Sequence, residues 1–357
     1  MLINRNPLRV TISLALLAMA APVPILAKLN VTKLTDGVYE IEHQDPPAGL
    51  DSGNTTVIMG DRQVFVVDSC FLPSAARDDM AQIRQWTDKP VTFLLNTHFH
   101  NDHNFGNRAY LDAFPGLTII AHAETKKDMD MFGHGSVDRI QKTNDRLQSM
   151  LDTGKTKEGR ALTAGEVTQI KDALAQRMQL MPEIRNTKFQ SATLTFEQGF
   201  TIDLGNREVQ VKFLGRGNTG GDAVVYLPKE KIVVAGDLLV SPIPYIYDGY
   251  PAEWIQTLER LGQLDADTIV PGHGPVMHDK KYLFLVRDLL KSAVDQMNAH
   301  LSKTGPALSL TLDDVKGAVD LTSFRERFAG HDDDQNAMFE DMTTHLVKVV
   351  FEEASLR

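Results

Sequence analysis

One cysteine in 357 residues, Cys70, leaves no possibility of an internal disulfide framework and no Cys-rich metal module. Basic charge is also short: 37 Lys and Arg stand against 47 Asp and Glu, a net of −10. A chain without basic excess is poorly suited to neutralising phosphates, which argues against a nucleic-acid binder. Apart from a short segment near the start, no apolar run approaches the length of a membrane span. There is no fixed-period repeat and no low-complexity tract. Aromatic residues are 7% of the chain, and the remainder is balanced at 42% hydrophobic and 24% charged, which excludes global disorder and fibrous architectures.

The exception is residues 1–27. Arg5 and Arg9 precede a short apolar run, Ile12–Ala21, and small residues follow, with Ala18-Met19-Ala20 and Ile25-Leu26-Ala27 as possible cleavage points. This is the layout of a signal peptide. Its removal takes the net charge from −10 to −12 and predicts a periplasmic or secreted protein with no membrane segment afterwards. In an oxidising compartment an exposed lone thiol is a liability. Cys70 follows the apolar VFVVDS run and is expected to be buried and inert.

After the signal, VYEIEH, TTVIM and QVFVVD read as strands, with a turn at Asp61-Arg62. A helix is expected over 74–87 with Ser74 as its cap, then a buried strand, VTFLLNT. From about 125 to 190 the spacing is helical. Thr163-Ala164-Gly165-Glu166 is a capping box, TGKTKEG a polar linker before it, and Pro182 the expected stop. Strands return from 192, namely AVVYLP, KIVVAGD and DTIVPGHG, with a short helix between the last two. Everything beyond about 278 reads as helix, with Thr311 and the Asp332 cluster as caps. Both strand-rich halves deliver polar residues at strand ends, where layered α/β folds place active sites.

The densest chemistry follows VTFLLNT: His98, His100, Asp102 and His103 occupy four of six consecutive positions. Imidazole nitrogen with carboxylate oxygen is a donor set that zinc accepts. The i, i+2 spacing puts His98 and His100 on one side of an extended segment, and a turn afterwards aims Asp102 and His103 at a neighbouring point. The run can thus serve two metals.

This run resembles the H-x-H-x-D-H motif of the metallo-β-lactamase-fold hydrolase superfamily, over roughly residues 30 to 280. The resemblance implies an α/β fold, an αββα sandwich over 28–280 with a helical insertion at 125–190 and a helical C-terminal extension over 281–357. It implies further ligands at matching turns: Asp237 in a G-D-x-L turn as bridge, and His273 in P-G-H-G. At the turn where the family usually has its third histidine, Leu214–Asp222, this chain has Asn218. The metal ligands so implied are His98, His100, Asp102, His103, Asn218, Asp237 and His273. The set for the second metal is complete; the first has an amide oxygen in place of an imidazole, a harder and weaker donor toward zinc. Two zinc ions are expected, the first more easily lost; iron is compatible with the same ligand types.

By the resemblance, metal-bound hydroxide attacks a carbonyl, and Asp102 both binds the second metal and orients that hydroxide. No G-x-S-x-G elbow and no P-loop offers another route. An aspartate bridge points to a small-molecule ester, thioester or lactone. Export keeps β-lactam hydrolysis as the alternative, with a non-catalytic scaffold and an iron-dependent redox protein behind it. Three lesser expectations concern neighbours: Asp68 as support for the metal loop, Arg216 as a binder of substrate carboxylate, and Tyr245, Tyr247 and Tyr250 as pocket lining. Oligomeric state has no signal in the sequence.

Overall fold

The computed structural model describes residues 29–43, 50, 52–157, 159–305, 307 and 310–355. The segment read as a signal peptide lies outside these residues. Among them, no helix is long and apolar enough to cross a membrane.

Seven strands form the first sheet in sequence order: β1 (Asn30–Thr35), β2 (Val38–Glu42), β3 (Thr55–Met59), β4 (Val64–Val67), β5 (Val91–Leu95), β6 (Thr118–His122) and β7 (Leu194–Phe196). β1 to β4 are antiparallel, with β3 and β4 joined at Asp61-Arg62 as the turn residues predict, and β4 to β7 are parallel. Five strands form the second sheet: β8 (Gly199–Asp203), β9 (Glu208–Phe213), β10 (Ala223–Leu227), β11 (Ile232–Val240) and β12 (Thr268–His273). All its pairings are antiparallel except β11 with β12.

The helices are α1 (Pro73–Trp86), α2 (Asn101–Asn104), α3 (Asn107–Ala113), α4 (Ala123–Phe132), α5 (Ser136–Thr153), α6 (Ala164–Asn186), α7 (Pro251–Gln263), α8 (Lys281–Thr304), α9 (Leu312–Val315), α10 (Thr322–Ala329) and α11 (Asp333–Ser355). The period-2 alternation of side chains builds the layers. In β4, Phe65 and Val67 face the second sheet and pack with Val211, Val225 and Val234. Val64 and Val66 face the other way, onto Ala76, Met80 and Ile83 of α1. On the far side, Val224 and Val233 pack against α7, α8 and α11 through Trp254, Leu289 and Leu346. This is the αββα sandwich, with the expected helical segment α4–α6 inserted between β6 and β7. α8 and α11 share one apolar cluster with α7, so the tail completes the outer helical layer.

Two local expectations are corrected. Pro182 does not stop α6, which continues to Asn186. The hydrogen bond lost to proline is outweighed by tertiary contacts on both sides of it. Met181 and Ile184 are buried against Phe71 and Phe105, and the Glu183 carboxylate is bonded across the interface. Ser74 is not the cap of α1; the cap position is Leu72, with Pro73 opening the first turn. The Ser74 backbone N–H and hydroxyl both donate to Glu183, at 2.6 and 2.9 Å. A carboxylate from α6 thus supplies the anion that a helix N-terminus favours.

Cys70 is fully buried, as its apolar context predicts, and burial with the Asp79 charge nearby pushes its thiol well up. Thr311 and Asp332 act as the expected caps of α9 and α11.

Candidate metal centre

β4, β5, β11 and β12 end at one edge of the sandwich, and each delivers a polar side chain there. Asp68 follows β4, His98 to His103 follow β5, Asp237 lies within β11 and His273 ends β12. Two register shifts in β11, flanking Gly236 (φ 55°), re-aim the strand where Asp237 leaves it. Asp68 itself has φ 59°, a left-handed conformation uncommon for a non-glycine residue.

Six of the seven sequence-implied ligands converge. His103 Nε2 lies 3.2 Å from Asp102 Oδ2, 3.2 Å from Asp237 Oδ1 and 3.2 Å from His273 Nε2. Asp102 Oδ2 is 3.0 Å from His273 Nε2. Beside them, His98 Nε2 is 3.0 Å from His100 Nδ1 and 3.5 Å from Asp237 Oδ2. Two groups of donors result, Asp102-His103-Asp237-His273 and His98-His100-Asp237, and Asp237 belongs to both.

The orientation of these donors follows from Asp68. Its Oδ1 accepts the Thr97 backbone N–H at 2.8 Å. Its Oδ2 accepts the Thr97 hydroxyl at 2.8 Å and His103 Nδ1 at 2.9 Å. His103 therefore carries its proton on Nδ1 and turns the Nε2 lone pair inward. Thr97, having donated to Asp68, accepts from His98 Nδ1 at 3.0 Å, which fixes the same tautomer there. Asp68, expected to support the metal loop, thus orients two imidazoles at once, His103 directly and His98 through Thr97, as carboxylates commonly do around a metal.

What faces inward is lone pair against lone pair. Asp237 Oδ1 is buried with no hydrogen-bond partner among the described residues, although His103 Nε2 is close. Such an arrangement is repulsive unless positive charge sits between the donors. Burial alone would lower His103, but Asp237, Asp102 and Asp68 hold its pKa well above the usual range. His273, opposed in the same way by Asp237 and Asp102, is raised to about 9. Burial and His98 push His100 down to about 3, which leaves it a neutral donor at pH 7. Asp102 and Asp237 would be raised by burial, yet the facing histidines hold both far below the carboxylate range. The donor set fits a cation, or two.

Asn218 lies in the turn before β10. It is buried, and neither Oδ1 nor Nδ2 has a hydrogen-bond partner among the described residues. The turn around it is held by Asp222, which accepts the Thr219 N–H and hydroxyl; burial raises Asp222 to about 6.

Two residues of the site, Gly53 and Asn54, carry no sequence signal. Gly53 N–H donates to the Asp102 carbonyl, and Asn54 spans to Pro271, Gly272 and Gly274. A Cβ on Gly53 would meet the His103 ring at 2.1 Å. One on Gly272 would meet Asp237 Oδ1 at 1.9 Å. The glycine of the P-G-H-G turn is there because a ligand occupies the space. Gly272→Ala is accordingly expected to displace Asp237 and weaken metal retention at least tenfold, the low end of what disturbing a ligand's support costs. A competitive chelator titration checks this.

A cleft of about 840 Å³ opens over the donors, lined by His100, Asp102, Asp237 and His273 together with residues of the insertion and of α11. Tyr245 and Tyr247 line it as expected, Tyr245 edge-on to His100 at 5.8 Å. Tyr250 does not; it lies under the Arg216 guanidinium at 3.9 Å. Arg216 is paired with Glu253 and does not line the cleft, so the expectation that it binds a substrate carboxylate is withdrawn. His122 is buried; it caps α4, stacks on Phe213 and belongs to neither donor group.

A profile described as the metallo-beta-lactamase superfamily matches residues 48–273. A linear primary-alkylsulfatase from Pseudomonas sp. (strain ATCC 19151) is 25% identical over 260 residues, which are 67% of this chain and 46% of that protein. A metallo-beta-lactamase type 2 from Bacillus sp. (strain 170) is 33% identical over 96 residues, 25% of this chain and 37% of that protein. This chain thus spans less than half the length of these curated relatives. Among solved structures, a metallo-beta-lactamase from Pontibacter korlensis aligns with TM-score 0.52 at 19% identity, over 74% of this chain and 99% of its own. A double mutant of the sec-alkyl sulfatase PisA1 aligns with TM-score 0.57 at 15% identity, over 82% of this chain and 45% of its own. At these identities the structures attest the fold.

Proposed function

The chain belongs to the metallo-β-lactamase superfamily, and from that premise we propose that it is a zinc-dependent hydrolase of an ester-type bond: a carboxylic ester, thioester or lactone. The observation that carries this is the convergence of six donors on two points that share the Asp237 carboxylate. Asp102, His103, Asp237 and His273 would hold one ion; His98, His100 and Asp237, with Asn218, the other. Bound zinc supplies Lewis acidity and lowers the pKa of a coordinated water to about 7. The chain's own contribution is to hold its imidazoles in the ligating tautomer through Asp68 and Thr97. The Asp102 carboxylate, at the cleft wall, is placed to orient a water and take up its hydrogen bond. Phe99 and Tyr245 stand edge-on to His100, at 4.7 and 5.8 Å between ring centroids, and form an aromatic wall beside the donors.

A sulfate ester is the second reading, favoured by the alkylsulfatase match over two thirds of this chain. Action in the periplasm or outside the cell rests on the character of residues 1–27 alone.

The test is metal content by elemental analysis on protein recovered with its export segment processed, beside an Asn218→His variant. The expected result is two zincs in both proteins, with the first ion held at least tenfold more tightly in the variant, because imidazole replaces an amide oxygen. Turnover is then read on carboxylic esters, thioesters, lactones, β-lactams and alkyl sulfates. No metal in either protein, or no turnover across the panel, overturns the proposal. Turnover confined to β-lactams moves the assignment to that class.

A further inference from the structure

The walls of the cleft come from outside the sandwich and from chemistry unlike that of its floor. Six large apolar side chains are exposed among the described residues, and three of them ring this one opening: Phe132 (41% exposed) from α4, Tyr245 (39%) from the loop after β11, and Met338 (56%) from α11. Ile140 of α5 and Met342 of α11 continue the apolar surface inward. Apolar side chains left in water and gathered at one mouth mark a surface made to be covered. Methionine suits an unbranched chain because it adapts its shape.

Into this apolar setting one lysine or arginine is introduced among the described lining residues, Arg139 of α5. No described carboxylate pairs with it, and partial burial alone lowers its pKa. Its guanidinium is nevertheless aimed. Nη2 donates to Ser136 Oγ at 3.1 Å, and that fully buried hydroxyl lies 3.0 Å from Asn101 Oδ1, beside Asp102. The remaining guanidinium donors suit an anion's oxygens.

We infer that the site takes an anionic amphiphile: a substrate whose single negative group pairs with Arg139 while its hydrocarbon chain lies along Phe132, Ile140, Met338 and Met342. This rests on the hydrolase proposal for the bond that is cut, but the binding it describes does not depend on turnover. Arg139 is a specificity-determining residue here, and α11 contributes half of the chain-binding surface. The tail is therefore part of the substrate site; the Tyr247 hydroxyl bonded to Asp341 of α11 at 2.7 Å ties it to the loop after β11.

Calorimetric titration of the full metal-loaded chain with decanoate, decan-1-ol and decyltrimethylammonium, each below its aggregation concentration, tests this. Decanoate is expected to bind about tenfold tighter than the alcohol, a charge-assisted contact on an accessible arginine, with the cation weakest. Arg139→Gln is expected to bring decanoate to the level of the alcohol and leave the alcohol unchanged. Met338→Asp, at an exposed position that does not endanger folding, is expected to weaken both at least fivefold. Equal affinity for decanoate and decanol overturns the inference, and so does decanoate binding that Arg139→Gln leaves intact. Turnover of 4-nitrophenyl acetate by the wild-type protein reports the hydrolase proposal separately. Turnover with no preference for decanoate removes the amphiphile alone; decanoate preference with no turnover of any ester removes the hydrolase alone.

Discussion

Asp237→Ala is expected to release metal from both positions and to lower turnover more than a hundredfold. The expectation follows from its place in both donor groups and from its burial without another hydrogen-bond partner. Loss of an outer support for a ligand costs about 10- to 100-fold in metal affinity or activity, and loss of a shared ligand must cost more. Removing the carboxylate also removes one of the charges that hold His103 and His273 at raised pKa, the others being Asp102 for both and Asp68 for His103. Elemental analysis and turnover read on the same preparation check both halves. By comparison, Asn218→Ala should leave the Asp102-His103-Asp237-His273 group loaded. Two retained zincs in Asp237→Ala would show that the two donor groups hold metal without it and would end the description of Asp237 as their shared ligand.

The second large effect lies one step away from the donor groups. Asp68→Ala deletes three buried hydrogen bonds to a charged acceptor, two of them to Thr97 and one to His103. Bonds of this kind contribute about 1.5–3 kcal/mol each, partly offset by the carboxylate's own desolvation, so a net loss of about 3 kcal/mol is expected. Asp68→Asn separates stability from metal binding. Its amide oxygen can still accept the Thr97 N–H, but its NH₂ would face His103 Nδ1–H, donor against donor. The imidazole relieves this by moving its proton to Nε2, which then points hydrogen, not lone pair, at the other ligands. The asparagine variant is thus expected to melt closer to wild type than the alanine variant does, and still to lose metal affinity 10- to 100-fold. Thermal melts with a chelator competition show whether the two properties part in this way. Equal metal affinity in wild type and Asp68→Asn would mean that Asp68 holds the loop without fixing the tautomer.

Much of the architecture was legible because it is encoded at short range. Alternation in VFVV sets which side of β4 meets the helix and which meets the other sheet, and the turn at Asp61-Arg62 fixes that register. The helical spacing of the insertion and tail needed no distant information. The His98–His103 run announced a metal site since its ligands share one strand end and one turn. Pro182 shows the limit of such reasoning. Its local effect is to stop a helix, and it was overruled by Met181, Ile184 and Glu183, whose partners lie on other elements. Arg216 shows it again: its sequence position beside the Asn218 turn suggested a substrate contact, but Glu253 and Tyr250 engage it. Arg139, more than a hundred residues from His273, lines the cleft instead.

By itself the sequence determined the layers, the strand ends that carry chemistry, and the kinds of donor available there, because propensity, periodicity and ligand type are properties of neighbours in the chain. Only the tertiary structure decided which nitrogen of His98 and of His103 faces the other donors, which glycines make room for the donor side chains, and which cation overlooks the cleft. Those depend on Asp68, Gly53, Gly272 and Arg139, residues brought to the site across long stretches of chain. Hydrogen-bond direction and close contact act over about 3 Å of space, and separation along the sequence carries no record of them.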